Sequence, residues 1–218
     1  MQYLFLAKRY QVEDDMKESY FDGGLLQLIG YRILGFLVTV LTLGICLPWA
    51  YTMVYGWKTK HTVINGERLT FDGTAAGLFG NWIKWFILTV ITLGIYGFWV
   101  GIALKKWRIS HTHTENDPKG ESYFDGGLLQ LIGWSLLGCL VSTVSLGLCT
   151  PWACTMLYGW RINHTVINGR RLYFDGTAMG LFGNWIKWFL LTLITIGVYG
   201  FWLDIKLEKW IVSHSRFV

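Results

Sequence analysis

The stretch from Phe71 to Thr112, FDGTAAGLFGNWIKWFILTVITLGIYGFWVGIALKKWRISHT, returns almost letter for letter at Phe174 to Ser215, and looser copies begin at Phe21 and Phe124. Most of the chain is one unit used four times, which constrains its architecture more than any other feature. The repeat is nested. Residues 18–111 align without a gap with 121–214 at an offset of 103, setting Asp22 with Asp125, Lys84 with Lys187 and Trp107 with Trp210. Within the first half an offset of 50 sets Phe21 with Phe71, Gly44 with Gly94, and Trp57 with Trp107. The recurring order is an apolar run, a Thr/Ser-x-Gly break, a second apolar run and a hairpin.

With 53% hydrophobic and 15% charged residues, the chain is poorer in charge than ordinary soluble domains, where about a quarter of residues are charged. Eight apolar segments follow one another with little polar surface to cover them, and many of the 13 tryptophans and 11 tyrosines fall at the ends of the runs. Amphipathic rings suit headgroup depth in a bilayer. The run from Gly24 to Leu43 has the length needed to cross a hydrocarbon core about 30 Å thick. The run from Cys46 to Trp57, kinked or started at Pro48, is shorter.

These features predict a membrane all-α fold with small β-hairpins. Four repeated helical hairpins, about eight membrane helices, stand in two tandem pseudo-symmetric halves under a cytoplasmic β-hairpin layer. Residues 1–19 form an N-terminal cytoplasmic cap, with short strands near Leu4 to Val12 and Glu18 to Phe21. The first half is 20–112, in units 20–70 and 71–112; a linker covers 113–122; the second half is 123–218, in units 123–173 and 174–218. Asn65-Gly66 and Asn168-Gly169 sit between alternating apolar residues, which marks β-hairpins with type I′ turns. If each unit crosses twice, nearly every Lys and Arg falls on one side, and the breaks around Gly44, Gly94, Gly147 and Gly197 carry no charge. The positive-inside bias then sets both termini in the cytoplasm of a multi-pass protein. Tyr3 to Ala7 is too short for the apolar region of a secretory signal.

The Phe-Asp-Gly motif, the Leu-Thr-Leu-Gly-Ile-Tyr break, the following Pro-Trp-Ala or Gly-Phe-Trp, and the basic exit into His-Thr occur in fixed order over residues 18–218. Together they resemble the YjgN-like family of bacterial membrane proteins, a family of unknown function. The resemblance implies a bacterial cytoplasmic (inner) membrane location and brings no catalytic residues. Some relatives carry an N-terminal zinc ribbon, whereas the first twenty residues here contain no cysteine.

His61, His111, His164 and His214 each follow a Trp by four residues. They form a candidate pH-sensing or metal ring, set against the favoured reading of a His closing a helix C-terminus beside its Trp. Asp22, Asp72, Asp125 and Asp175 are candidate helix N-caps. Lys84 and Lys187 lie in Asn-Trp-Ile-Lys-Trp within apolar sequence. Each either snorkels to headgroups or joins Asn81 or Asn184 in binding an anion or lipid headgroup. Cys46, Cys139, Cys149 and Cys154 have no metal-ligand spacing and read as buried, inert thiols. No metal or cofactor is expected, and no hydrolase, metalloprotease or phosphate-loop motif is present, so the chain does not read as an enzyme.

The net charge of +5 points to anionic lipids in a bilayer as partners and not to nucleic acid; an oligomer remains open. A passive pore or small-solute transporter is one reading, with hydroxyls from Thr39, Thr42, Thr89, Thr92, Ser142, Ser145, Thr192 and Thr195 near the far end. The other is a non-transporting scaffold or anionic-lipid organiser that recruits partners through its hairpins.

Overall fold

The computed structural model describes residues 18–218. The strand expected near Leu4 to Val12, and all of the 1–19 cap but its last two residues, lie outside them. Each unit runs from a strand through a long and a short helix to another strand. The first half contains β1 (Tyr20–Phe21), α1 (Leu25–Leu41), α2 (Leu47–Lys60), β2 (Thr62–Ile64), β3 (Glu67–Phe71), α3 (Ala75–Ile91), α4 (Gly97–Ser110) and β4 (Thr112–Thr114). The second contains β5 (Tyr123–Phe124), α5 (Leu128–Val144), α6 (Thr150–Asn163), β6 (Thr165–Ile167), β7 (Arg170–Phe174), α7 (Ala178–Ile194), α8 (Gly200–Ser213) and β8 (Ser215–Phe217). Strand β4 begins just ahead of the expected linker and extends into it.

Among the described residues no helix is long and apolar enough to cross a membrane. This corrects the expected membrane all-α fold with its membrane helices. It also corrects the multi-pass inner-membrane location and the cytoplasmic placing of the termini, which rested on crossing helices. The reason lies at the helix ends. Gly24 is extended, with φ −95 and ψ 149, and the helix stops at Leu41 because Leu43 and Gly44 turn to φ 50 and φ 87. The long helices hold 17 residues and the short ones 14, which rise about 26 Å and 21 Å against a hydrocarbon core of about 30 Å.

The breaks are built turns. Leu43, Leu93, Leu146 and Ile196 adopt positive φ, each followed by a positive-φ glycine. The Thr42 hydroxyl donates to the Val38 carbonyl at 2.7 Å and accepts from the Cys46 amide at 3.1 Å. Thr92, Ser145 and Thr195 do the same in their units. These hydroxyls, and those of Thr39, Thr89 and Thr192, which donate to carbonyls one turn back, bond to the hairpins' own backbone. The turn tips are apolar and bare; Leu93 is 94% exposed. Exposed apolar side chains continue along the outer faces of the hairpins, and apolar exposure on this scale marks a contact surface.

The hairpins stand on a β platform. The expected small hairpins are joined into two four-stranded antiparallel sheets, ordered β1-β2-β3-β4 and β5-β6-β7-β8. Registers repeat between halves, with Tyr20 opposite Val63 and Tyr123 opposite Val166. Asn65-Gly66 and Asn168-Gly169 turn with positive φ at both positions, as a type I′ hairpin requires. The same asparagines fasten the halves together. The Asn65 Oδ1 accepts from the Phe217 amide at 3.0 Å, and the Asn168 Oδ1 accepts from the Thr114 amide at 3.1 Å. Arg170 pairs with Glu67 across the same seam. Successive helices touch, and α8 closes back on α1 to complete a ring.

Phe-Asp-Gly fixes each unit to the platform. Phe21, Phe71, Phe124 and Phe174 meet Trp57, Trp107, Trp160 and Trp210 edge to face, with centroids 5.8, 5.9, 5.7 and 5.8 Å apart. The following glycine lies under both rings. A Cβ at Gly23, Gly73, Gly126 or Gly176 would sit within 2.8 Å of that Trp ring and closer still to the Phe. Only a residue without a side chain leaves room there. Gly176→Ala is expected to destabilise the fold by about 1–3 kcal/mol through overpacking. Gly183→Ala, in a helix where a Cβ meets nothing within 4 Å, is expected to stabilise it by about 0.5–1 kcal/mol. Denaturant unfolding of the two variants checks the contrast, and equal effects would show that the rings do not confine Gly176.

Candidate functional site

The short helices α2, α4, α6 and α8 surround one axis, and repeat positions that look unremarkable in a single unit meet there. One position contributes Tyr55, Lys105, Tyr158 and Glu208; the position three residues on contributes Lys58, Arg108, Arg161 and Ile211. All eight line a central cavity of about 340 Å³. The spacing of three residues puts the two positions on one helix face. Hydroxyls of Thr62, Thr112, Thr165 and Ser215 line it nearer the platform, each donating 2.8–2.9 Å to the carbonyl four residues earlier. Buried Ile64, Leu69, Ile167 and Leu172 cap that end.

The cavity wall carries four cationic side chains and one carboxylate. Glu208 is committed to Lys58, Nζ to Oε2 2.7 Å, which leaves Lys105, Arg108 and Arg161 without a carboxylate partner among the described residues. The Arg108 Nε is buried with no acceptor; its guanidinium lies over the Tyr55 ring at 4.5 Å. Lys105 Nζ lies 4.5 Å from the centre of the Phe124 ring. Lys58, Arg108 and Arg161 occupy the last turns of their helices, where the partial negative charge of the C-terminus offsets part of their charge. Lys105, one turn earlier, lacks that help. Burial chiefly, with Arg161 and Arg108 adding to it, pushes Lys105 down from 10.5 to about 6. Burial also lowers Arg161, with Arg108 contributing in the same direction. Like charges held together in a partly dry space favour an incoming anion.

The residues singled out from the sequence lie elsewhere. His61, His111, His164 and His214 terminate α2, α4, α6 and α8. The Nδ1 of each donates 2.8 Å to the carbonyl of its Trp, and each ring stays beside that Trp. None lines the central cavity, and among the described residues no group of three or more His, Cys, Asp or Glu is placed to hold a metal. Each imidazole thus closes its own helix beside its own Trp.

The N-cap assignment of Asp22, Asp72, Asp125 and Asp175 is also corrected. Gly24, Thr74, Gly127 and Thr177 occupy the cap positions, and Thr74 and Thr177 accept from Gly77 and Gly180. The aspartates lie two residues too early. Their amides pair instead with the carbonyls of the four terminal histidines at 3.0–3.1 Å. Their carboxylates meet Arg68, His113, Arg171 and Arg216 respectively. Lys84 and Lys187 are exposed and line no part of the central cavity; Asn81 turns back to the Gly77 carbonyl at 3.3 Å. Cys139, expected buried, is exposed.

The cationic cluster is not legible in the sequence, where Lys105 and Arg108 are two of the many Lys and Arg residues that bear on topology. Its trace is a pair of repeat positions, one polar in all four units and the other in three, with Ile211 the exception. No family profile, curated protein or solved structure matches the chain.

Lys105 has a pH signature. Between its folded value near 6 and its ordinary 10.5, the unfolded chain holds a proton that the folded chain has released. Stability therefore rises with pH through that window. Lys105→Met is expected to flatten this rise between pH 6 and 9, read from denaturant midpoints; a slope unchanged from the original chain would contradict the assignment.

Proposed function

We propose that this protein is a non-enzymatic binding protein for oxyanions, which it takes into the central cavity. The observation carrying this reading is the uncompensated cluster of Lys105, Arg108 and Arg161, with an Arg108 Nε that has no acceptor. Holding half-buried cations without a carboxylate partner is costly. An oxyanion placed among them would accept from Arg108 and Arg161 and restore the charge of Lys105. The apolar cap at the platform end weighs against a through-going pore, and the anionic partner expected from the basic composition narrows to the anionic group itself.

Sulfate is the suitable probe, because its charge does not change across the working pH range. It is expected to bind with uptake of a proton above pH 6, since an anion raises the depressed value of Lys105. Affinity should accordingly increase as pH falls from 8 towards 6. Replacing Arg108 and Arg161 together by Gln should weaken binding by roughly tenfold or more. Calorimetry in buffers of different ionisation heat measures both effects. Absence of sulfate binding at millimolar concentration, or binding untouched by the double substitution, would overturn the reading.

A further inference from the structure

The two seams between the halves are not alike. At the α8/α1 seam Asp204 pairs with Arg32, Nη1 to Oδ2 2.6 Å. The equivalent positions at the α4/α5 seam are Gly101 and Ser135. Where the other three units carry Tyr51, Cys154 and Asp204, Gly101 has no side chain, and a Cβ built on it meets nothing within 4 Å. The space is a side chamber of about 180 Å³ walled by Gly101, Ile102, Leu131 and Trp160 together with Lys105, Arg108 and Arg161. Those three cations also line the central cavity. Gly101 itself is exposed, so the chamber reaches the surface at this seam, beside an apolar cluster of Ile102, Ile109, Phe124 and Trp160 with Leu128 and Leu131.

From this geometry we infer that the α4/α5 seam is a lateral binding site for a single-chain anionic amphiphile, with its oxyanion head on Lys105, Arg108 and Arg161 and its alkyl tail leaving past Gly101, Ile102 and Leu131. The inference rests on the anion-binding reading and deepens it by naming the ligand class. A purely inorganic anion leaves the apolar walls of the chamber in contact with water, whereas an alkyl chain covers them. A volume of about 180 Å³ suits one alkyl chain. The Arg32–Asp204 pair sets ionic side chains at the other seam, where a tail would have to displace them.

The full-length protein is titrated with inorganic phosphate and with decyl phosphate below its micelle concentration, by calorimetry. Decyl phosphate is expected to bind about tenfold more tightly than phosphate or better. Gly101→Leu, which fills the chamber, is expected to abolish that advantage while leaving phosphate affinity within about twofold. Gly80→Leu adds the same side chain on the exposed face of α3, where a Cβ also meets nothing, and is expected to change neither. If phosphate binds but the tail adds nothing, or Gly101→Leu weakens both ligands alike, the lateral site is overturned and the anion site stands. If neither ligand binds, the anion-binding reading fails and the lateral site with it.

Discussion

Four phenylalanine edges set against four tryptophan rings hold this molecule to its plan. Each pair joins the strand that begins a unit to the helix that ends it, and the glycine beneath leaves the only space in which both rings fit. Because the Trp lies one turn before the helix terminus, the contact also fixes the His that closes the helix and the carbonyl to which the same unit's Asp amide bonds. A displaced ring would therefore loosen the end of a unit's short helix, its first strand and the start of its long helix together. Edge-to-face aromatic pairs are individually worth about 0.5–1.5 kcal/mol beyond their buried area; four in equivalent places give the platform one geometry.

That geometry decides where the charge goes. Holding the exits of the short helices at the platform brings their last turns around one axis, and the residues at two repeat positions become neighbours across it. Exact fourfold repetition would make every layer identical. The chain instead varies these positions as Tyr, Lys, Tyr, Glu and as Lys, Arg, Arg, Ile. One Glu–Lys pair neutralises itself, and the remaining cations gather on the side of α4 and α6. The same drift leaves Gly101 opposite Asp204 in the repeat, so one seam has an opening and the other an ion pair. The repeated sequence sets the frame, and departures from it set which charges face the axis.

Much of the local structure could be read directly. The Asn-Gly turns, the Thr/Ser-x-Gly breaks between helices and the histidines at helix ends follow from φ requirements and from spacing within one unit. The readings that failed were those needing three dimensions. Apolar runs long enough to suggest crossing helices were shortened because a Gly or Thr took extended backbone at one end and a Leu or Ile turned left-handed at the other. The Asp residues looked like caps, but strand pairing pulled them outward by two residues and set Thr or Gly in their place. Lys84 and Lys187 stood out because they interrupt apolar sequence, yet a lone charge on an outer helix face needs no partner, and both are exposed.

The sequence by itself determined that the chain is one unit used four times, where its helices turn, and which hairpins carry positive φ, because these depend on periodicity and on backbone sterics within a few residues. Tertiary structure alone decided that Lys105, Arg108 and Arg161 share a cavity and that the two seams differ. Periodicity reports which face of a helix a residue occupies, but which faces meet depends on how the rings and sheets set four helices about an axis.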